Sequence, residues 1–256
     1  MPRLIRADWH IHSSLSDCGH PEATPEAIVR AAQEAGLEAI GITDHVIFAK
    51  DRLRPGLIRR QLPAQVGGLR IWVGCEADMQ SATRASIDAE FAAGLDYVIM
   101  SASHLFDMGM EQRADLDAKG MVSFVLELMN GAIASGLADI IAHPFGVPEC
   151  PFAWEELIAA VDQSALSRTT EAAARAGVAL EFNPRYLRQS PEATRWLFRR
   201  VREAGCKLAL SSDAHHPAHI GCRGPRYASE AEIRDLGIKP EDLWSVEHRM
   251  SAGRSG

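Results

Sequence analysis

An α/β fold, a TIM-like barrel of seven parallel strands with its working site on the C-terminal rim, is predicted by three observations. Seven short apolar, β-branched runs alternate with helical patterns along 256 residues. That length is close to the roughly 250 residues of one α/β barrel. Metal-ligating residue types stand at or near the C-terminal ends of six of the seven runs. The alternation by itself predicts a parallel sheet with right-handed crossovers, either doubly wound or closed. A doubly wound sheet gathers ligands mainly at one switch point, whereas a barrel brings every strand end to one rim. Ligand types on runs one to five and seven therefore favour the barrel.

The runs are justified in order. LIRADWH leads into His10 and His12, which share a strand face and can grip one cation. The chain continues as SSLSDCGHPE, putting Asp17, Cys18 and His20 close behind. ATPEAIVRAAQEAG then reads as a helix with Thr24 as N-cap, Pro25 and Glu26 in the first turn and Gly36 as C-terminal stop. AIGITDH ends in Asp44 and His45, and the cationic stretch KDRLRPGLIRR after it reads as a solvated face. RIWVGCEADM carries Glu76, and YVIMSASH ends in His104. Residues 105–120 are expected at the rim, and a helix is expected over 120–135. DIIAHP carries His143, a helix follows over about 164–176, and ALEFNP ends at Asn183. SPEATRWLFRRVREAG repeats the helix signals with Ser190, Pro191, Glu192 and Gly205, and KLALSSDAH supplies Asp213 and His215. Near-continuous apolarity in these runs is what a sheet covered on both faces requires.

One domain spanning 1–256 is expected, with the barrel over about 3–228 and a helical segment over about 229–250 packed against it. A 46% hydrophobic, 24% charged composition supports a sizeable core. A net charge of -7 counts against broad nucleic-acid binding. The apolar runs fall short of the roughly 20 residues that span a bilayer, so no membrane partner is expected. MPRLIRADWH lacks the apolar core of a secretory signal. Five cysteines without a CxxC pair suit a reducing cytoplasm, the expected location.

Imidazole and carboxylate together suit zinc, manganese or iron. Six histidines, Glu76 and Asp213 exceed the needs of one tetrahedral ion and fit two or three, with a carboxylate as bridge. Closely spaced divalent ions lower the pKa of water and neutralise phosphoryl oxygens, which points to phosphate ester hydrolysis.

The ordered set HxH at 10–12, SDCG at 16–19, GITDH at 41–45, GCE at 74–76, SASH at 101–104, IAHP at 141–144 and SSDAH at 211–215 resembles the polymerase and histidinol phosphatase (PHP) family. The resemblance implies a distorted seven-stranded barrel holding up to three metals. It implies His10, His12, Glu76 and Asp213 as ligands of one ion, with Glu76 bridging to a second held by His104 and His143. It implies His45 and His215 as ligands of a third, completed by Asp17 or, as in many histidinol phosphatases, by a histidine, here His20. Glu76, Asp213 and His215 are the implied catalytic residues. Arg188 resembles a phosphate-facing arginine, with Arg185 as its alternative and Asn183 beside them. His216 and His219 are candidates for a proton donor.

The implied activity is a phosphomonoesterase acting on a small phosphorylated metabolite, of which histidinol phosphate is the named candidate. The motif spacing after Glu76 also resembles the PHP domain of family X DNA polymerases, so exonuclease or phosphodiesterase action is one alternative. A metal hydrolase of a non-phosphate ester or lactone is another, although those barrels typically bridge their metals with a lysine that is missing here.

Overall fold

A computed structural model of the protein describes residues 3–104 and 116–247. Each of the seven expected runs contains strand. The strands are β1 (Ala7–Ile11), β2 (Ala39–Ile42), β3 (His45–Val46), β4 (Gln65–Val66), β5 (Leu69–Val73), β6 (Cys75–Ser81), β7 (Arg84–Ala85), β8 (Val98–Ser101), β9 (Ile140–Ile141), β10 (Ala179–Phe182) and β11 (Leu208–Leu210). The second and third runs each split in two, as β2/β3 and β5/β6. The break leaves the pairing intact: Gly74 N donates to Ile42 O at 3.0 Å and Glu76 N to Asp44 O at 3.1 Å.

The strands form a mixed α/β architecture with a mainly parallel sheet. One ladder runs β1-β2-β5-β4 and the other β11-β10-β9-β8-β6-β3, with β7 beside β6. The β4–β5 and β6–β7 pairs are antiparallel. No continuous ladder joins β11 to β1 among the described residues. The contact just beyond β11 is a single parallel bridge, Ile11 to Ala214, in which His12 N donates to Ala214 O at 2.9 Å.

The helices follow their expected signals, with one difference at the cap residue Ser190. Thr24 caps Pro25–Glu34 by accepting from Ala27 N, and Gly36 takes φ 66, a conformation open to glycine at little cost. Ala118–Ser135 and Gln163–Ala176 lie where helices were expected. Pro191–Glu203 also forms, but Ser190 makes no capping bond, because its hydroxyl donates to Glu155 Oε2 at 2.6 Å instead. In the C-terminal segment the described helical residues are Glu230–Arg234, a short 3-10 turn at Pro240–Asp242, and residues 246–247. Most of the rim segment 105–120 and the last residues of 229–250 lie outside the described residues.

Two apolar clusters hold the elements together. The larger packs helices against strands, and the smaller gathers Trp9, Tyr97, Ile99, Ile140 and Trp244. Trp9 stands edge-on to Tyr97 and Trp244, at centroid separations of 6.0 and 5.2 Å. A regular strand would put Trp9 and Ile11 on one face, yet they belong to different clusters. The register shift between Asp8 and Ile11 accounts for this, because an irregularity re-aims the side chains beyond it.

Asp8, fully buried, ties the first strand to the chain beyond the last. It accepts from Ser212 N (2.9 Å), Ser212 Oγ (2.6 Å) and Gly221 N (2.8 Å). Burial pushes its carboxyl up to about 6 against these donors. This contact fixes the segment carrying Asp213 and His215 against the one carrying His10 and His12. Asp8→Ala would orphan two buried amides at about 1–3 kcal/mol each. Its urea unfolding free energy is expected to fall by about 2–6 kcal/mol, with Asp8→Asn between it and the parent. An unchanged midpoint in Asp8→Ala would show that the contact does not hold the two ends together.

Candidate metal centre

The centre is built around Glu76, which β6 places 1% exposed among imidazoles. Its Oε2 lies 3.1 Å from His10 Nε2, 3.4 Å from His12 Nε2 and 3.2 Å from His45 Nδ1. Its Oε1 lies 3.0 Å from His143 Nε2 and 3.7 Å from His104 Nε2. Asp213 joins from beyond β11, its Oδ1 3.5 Å from His12 Nε2 and 3.8 Å from His10 Nε2. His215 stacks on His12 at 4.4 Å between centroids, and His45 stacks on the same ring at 4.7 Å. His143 and Asp213 adopt φ 23 and 52, rare for non-glycine residues, which aim their side chains at a local conformational cost.

Sequence reasoning missed the groups that orient these rings. Glu181 Oε1 sits 3.0 Å from His10 Nδ1, and its other oxygen accepts from the His143 amide. Asp78 Oδ1 is 2.8 Å from His104 Nδ1, and Ser103 Oγ is 2.8 Å from His143 Nδ1. A carboxylate on one ring nitrogen fixes the tautomer and turns the other nitrogen's lone pair toward a metal. The signal for both residues was present. Asp78 is two residues from Glu76 on the same strand face, and Glu181 is a carboxylate inside an otherwise apolar run.

The residues fit divalent cations. With Nδ1 of His10 donating to Glu181, its Nε2 presents a lone pair 3.0 Å from His12 Nε2 and close to two carboxylates. Such a convergence of lone pairs is held together by positive charge. His12 Nδ1 is buried with no hydrogen-bond partner. Burial alone would raise the Glu76 carboxyl, but the surrounding imidazoles of His10, His45 and His104 hold it well below the usual carboxylate range. Burial opposes the positive charge on His104, yet Asp78 and Glu76 bring it up to about 9.

Several residues expected at this centre lie elsewhere in the structure. Asp17 is not in the cluster: it points outward, 77% exposed, and pairs with Lys50 at 3.3 Å and Arg54 at 3.2 Å. His20 is also outside, packed edge-on against His216 and grouped with Glu22. Arg188 turns away to Glu232 (3.0 Å) and the Tyr227 carbonyl (3.4 Å). Asn183 is fully buried and used structurally, its Nδ2 donating to Ser212 O at 3.0 Å and its Oδ1 capping Arg185 N at 3.0 Å. Arg185 does reach the centre, its guanidinium 3.4 Å from Asp213 Oδ2. His216 and His219 do not line the cleft, and His216 lies 3.4 Å from Glu22.

A residue given no role by the sequence reading does line it. Cys18 joins His12, His45, His104 and Glu76 around a cleft of about 230 Å³. Burial would raise its thiol, but the imidazoles of His12, His215 and His45 beside it bring it down to about 3.

Comparison with known proteins agrees with this geometry. The family model described as the PHP domain matches residues 8–185. A protein of Deinococcus radiodurans named as a probable histidinol-phosphatase is 30% identical over 261 residues, covering 90% of this chain and 93% of the relative. A probable phosphatase of Edwardsiella ictaluri is 32% identical over 226 residues, covering 85% and 82%. A solved structure from Listeria monocytogenes, assigned as a histidinol phosphatase, has a TM-score of 0.55 at 15% identity, covering 84% of this chain and 97% of that one, and supports the fold. The chain belongs to the PHP domain family.

Proposed function

We propose that the protein is a metal-dependent phosphomonoesterase acting on a small phosphorylated metabolite, with histidinol phosphate as the named candidate. The observation that carries this reading is the approach of five imidazoles to the two oxygens of one buried carboxylate, Glu76. The relatives named as phosphatases support the reaction class. A cleft of about 230 Å³ and a net charge of -7 favour a small ester over a nucleic-acid strand.

In this reading His10, His12, Glu76 and Asp213 would hold one ion of zinc, manganese or iron. Glu76 would extend to a second, held with His104 and His143, and His45 and His215 would take a third. Bound there, such ions supply a hydroxide nucleophile near neutral pH and neutralise charge on the phosphoryl oxygens. Glu181 and Asp78 keep the imidazole lone pairs directed inward. Arg185, with its guanidinium already at Asp213, is placed to pair with a phosphate oxygen at the rim. Glu76, Asp213 and His215 are the proposed catalytic residues. The seven strand stretches are taken to close as a distorted barrel within one PHP unit. The bridge from Ile11 to Ala214 and the Asp8 contact support that closure.

Two outcomes test this reading. A screen of metabolite phosphates and a bis-aryl phosphodiester, with manganese, zinc or iron supplied, is expected to give monoester turnover that a chelator abolishes and metal restores. Turnover confined to the diester, or undiminished by chelation, would contradict it. Arg185→Ala is expected to raise KM for the preferred monoester about 10–100-fold, the loss of one charge-assisted hydrogen bond, while Arg188→Ala leaves it unchanged. The opposite ranking would return the phosphate contact to Arg188.

A further inference from the structure

The loop after β1 is constructed so that Cys18, and not its neighbours, faces the histidines. Asp44 accepts from both Ser13 N and Ser13 Oγ at 2.6 Å, which pins the start of the loop. Ser16 N donates to Ser13 O and Gly19 N to Ser16 O, each at 3.0 Å, which forms two consecutive tight turns. A Cβ on Gly19 would meet Ser13 O at 1.9 Å, so this close approach requires glycine immediately after Cys18. His20 N then donates to His215 O at 2.8 Å, tying the far side of the loop to the segment that carries His215. Cys18 is thus held by backbone bonds on both sides. Asp17 points out to Lys50 and Arg54, while the Cys18 sulfur lies within 4.8 Å of ring nitrogens of both His12 and His45.

A second observation points to a ligand in the same cleft. His12 and His45 are 1% and 9% exposed, and His12 Nδ1 is buried without a hydrogen-bond partner. A buried, unpartnered imidazole nitrogen is costly unless something binds it. His45, His215 and the Cys18 thiol line this cleft together and form a sulfur and nitrogen donor set.

We propose that Cys18 supplies a thiolate ligand to the ion held by His45 and His215, in the position the sequence reading gave to Asp17 or His20. This rests on the cleft being a metal centre, as proposed above, and adds what that centre selects. Thiolate with imidazole favours zinc, ferrous iron or cobalt over manganese and magnesium, so this position differs in preference from the imidazole and carboxylate pair around Glu76.

Cobalt titration of the metal-stripped full-length protein tests the proposal with a readout independent of turnover. The parent, Asp17→Ala and His20→Ala are expected to develop thiolate-to-cobalt charge-transfer absorption in the near ultraviolet. Cys18→Ser is expected to lack the band and to retain one metal equivalent fewer by elemental analysis. Cys18→Asp should recover that equivalent without the band and retain relatively more manganese. Circular dichroism of each variant verifies folding. A band that persists in Cys18→Ser, a parent without a band, or an equivalent lost from Asp17→Ala in place of Cys18→Ser would overturn the assignment. Phosphomonoester turnover with manganese in a parent lacking the band would remove the Cys18 assignment alone. A Cys18-dependent band in a protein inert toward phosphate esters would uphold the assignment and remove the proposed activity.

Discussion

The arrangement of this molecule depends on one buried negative charge. Glu76 is 1% exposed, and its two oxygens are shared among five imidazoles drawn from four different parts of the chain. A lone carboxylate in such surroundings would lose several kcal/mol of hydration. Here compensation comes from positive charge, carried by protonated imidazole or by cations bound between the rings. The same group therefore organises this part of the fold.

The remaining structure delivers side chains to that point and holds them there. Parallel strands bring His10, Glu76, His104 and His143 to neighbouring ends, as the ladder order β6-β8-β9 shows for the last three. Asp8 anchors the segment beyond β11, with Asp213 and His215, against β1. Behind these rings, Glu181 and Asp78 fix the orientation of His10 and His104, as carboxylates commonly do for imidazoles at metal centres. Positive φ at His143 and Asp213 places local strain beside the reactive cleft, where the surrounding bonds can hold it.

Much of this was legible in the sequence because strand periodicity and strand-end location are simple geometric rules. His10 and His12 sharing a face followed from alternation, and the gathering of imidazoles and carboxylates from six runs followed from parallel topology. The same rule applied to Asp78 and Glu181 would have identified them as well. Loops obey no such periodicity, and there spacing is a weaker guide. Spacing favoured Asp17, but the turns fixed by Ser13 and Gly19 turn Asp17 to Lys50 and its exposed neighbour Cys18 to the histidine-lined cleft. Arg188 and Arg185 both lie in the helix Pro184–Gln189, three residues apart. One meets Glu232 and the other Asp213, a choice made by partners nearly 30 residues away or more.

The most direct test is an anomalous-scattering crystal structure of the metal-loaded protein, with data at the zinc, iron and manganese edges. Peaks bonded to both oxygens of Glu76, flanked by His10, His12, His104 and His143, are the result this account predicts. Strong metal peaks elsewhere, with the Glu76 cluster joined only by hydrogen bonds, would contradict it.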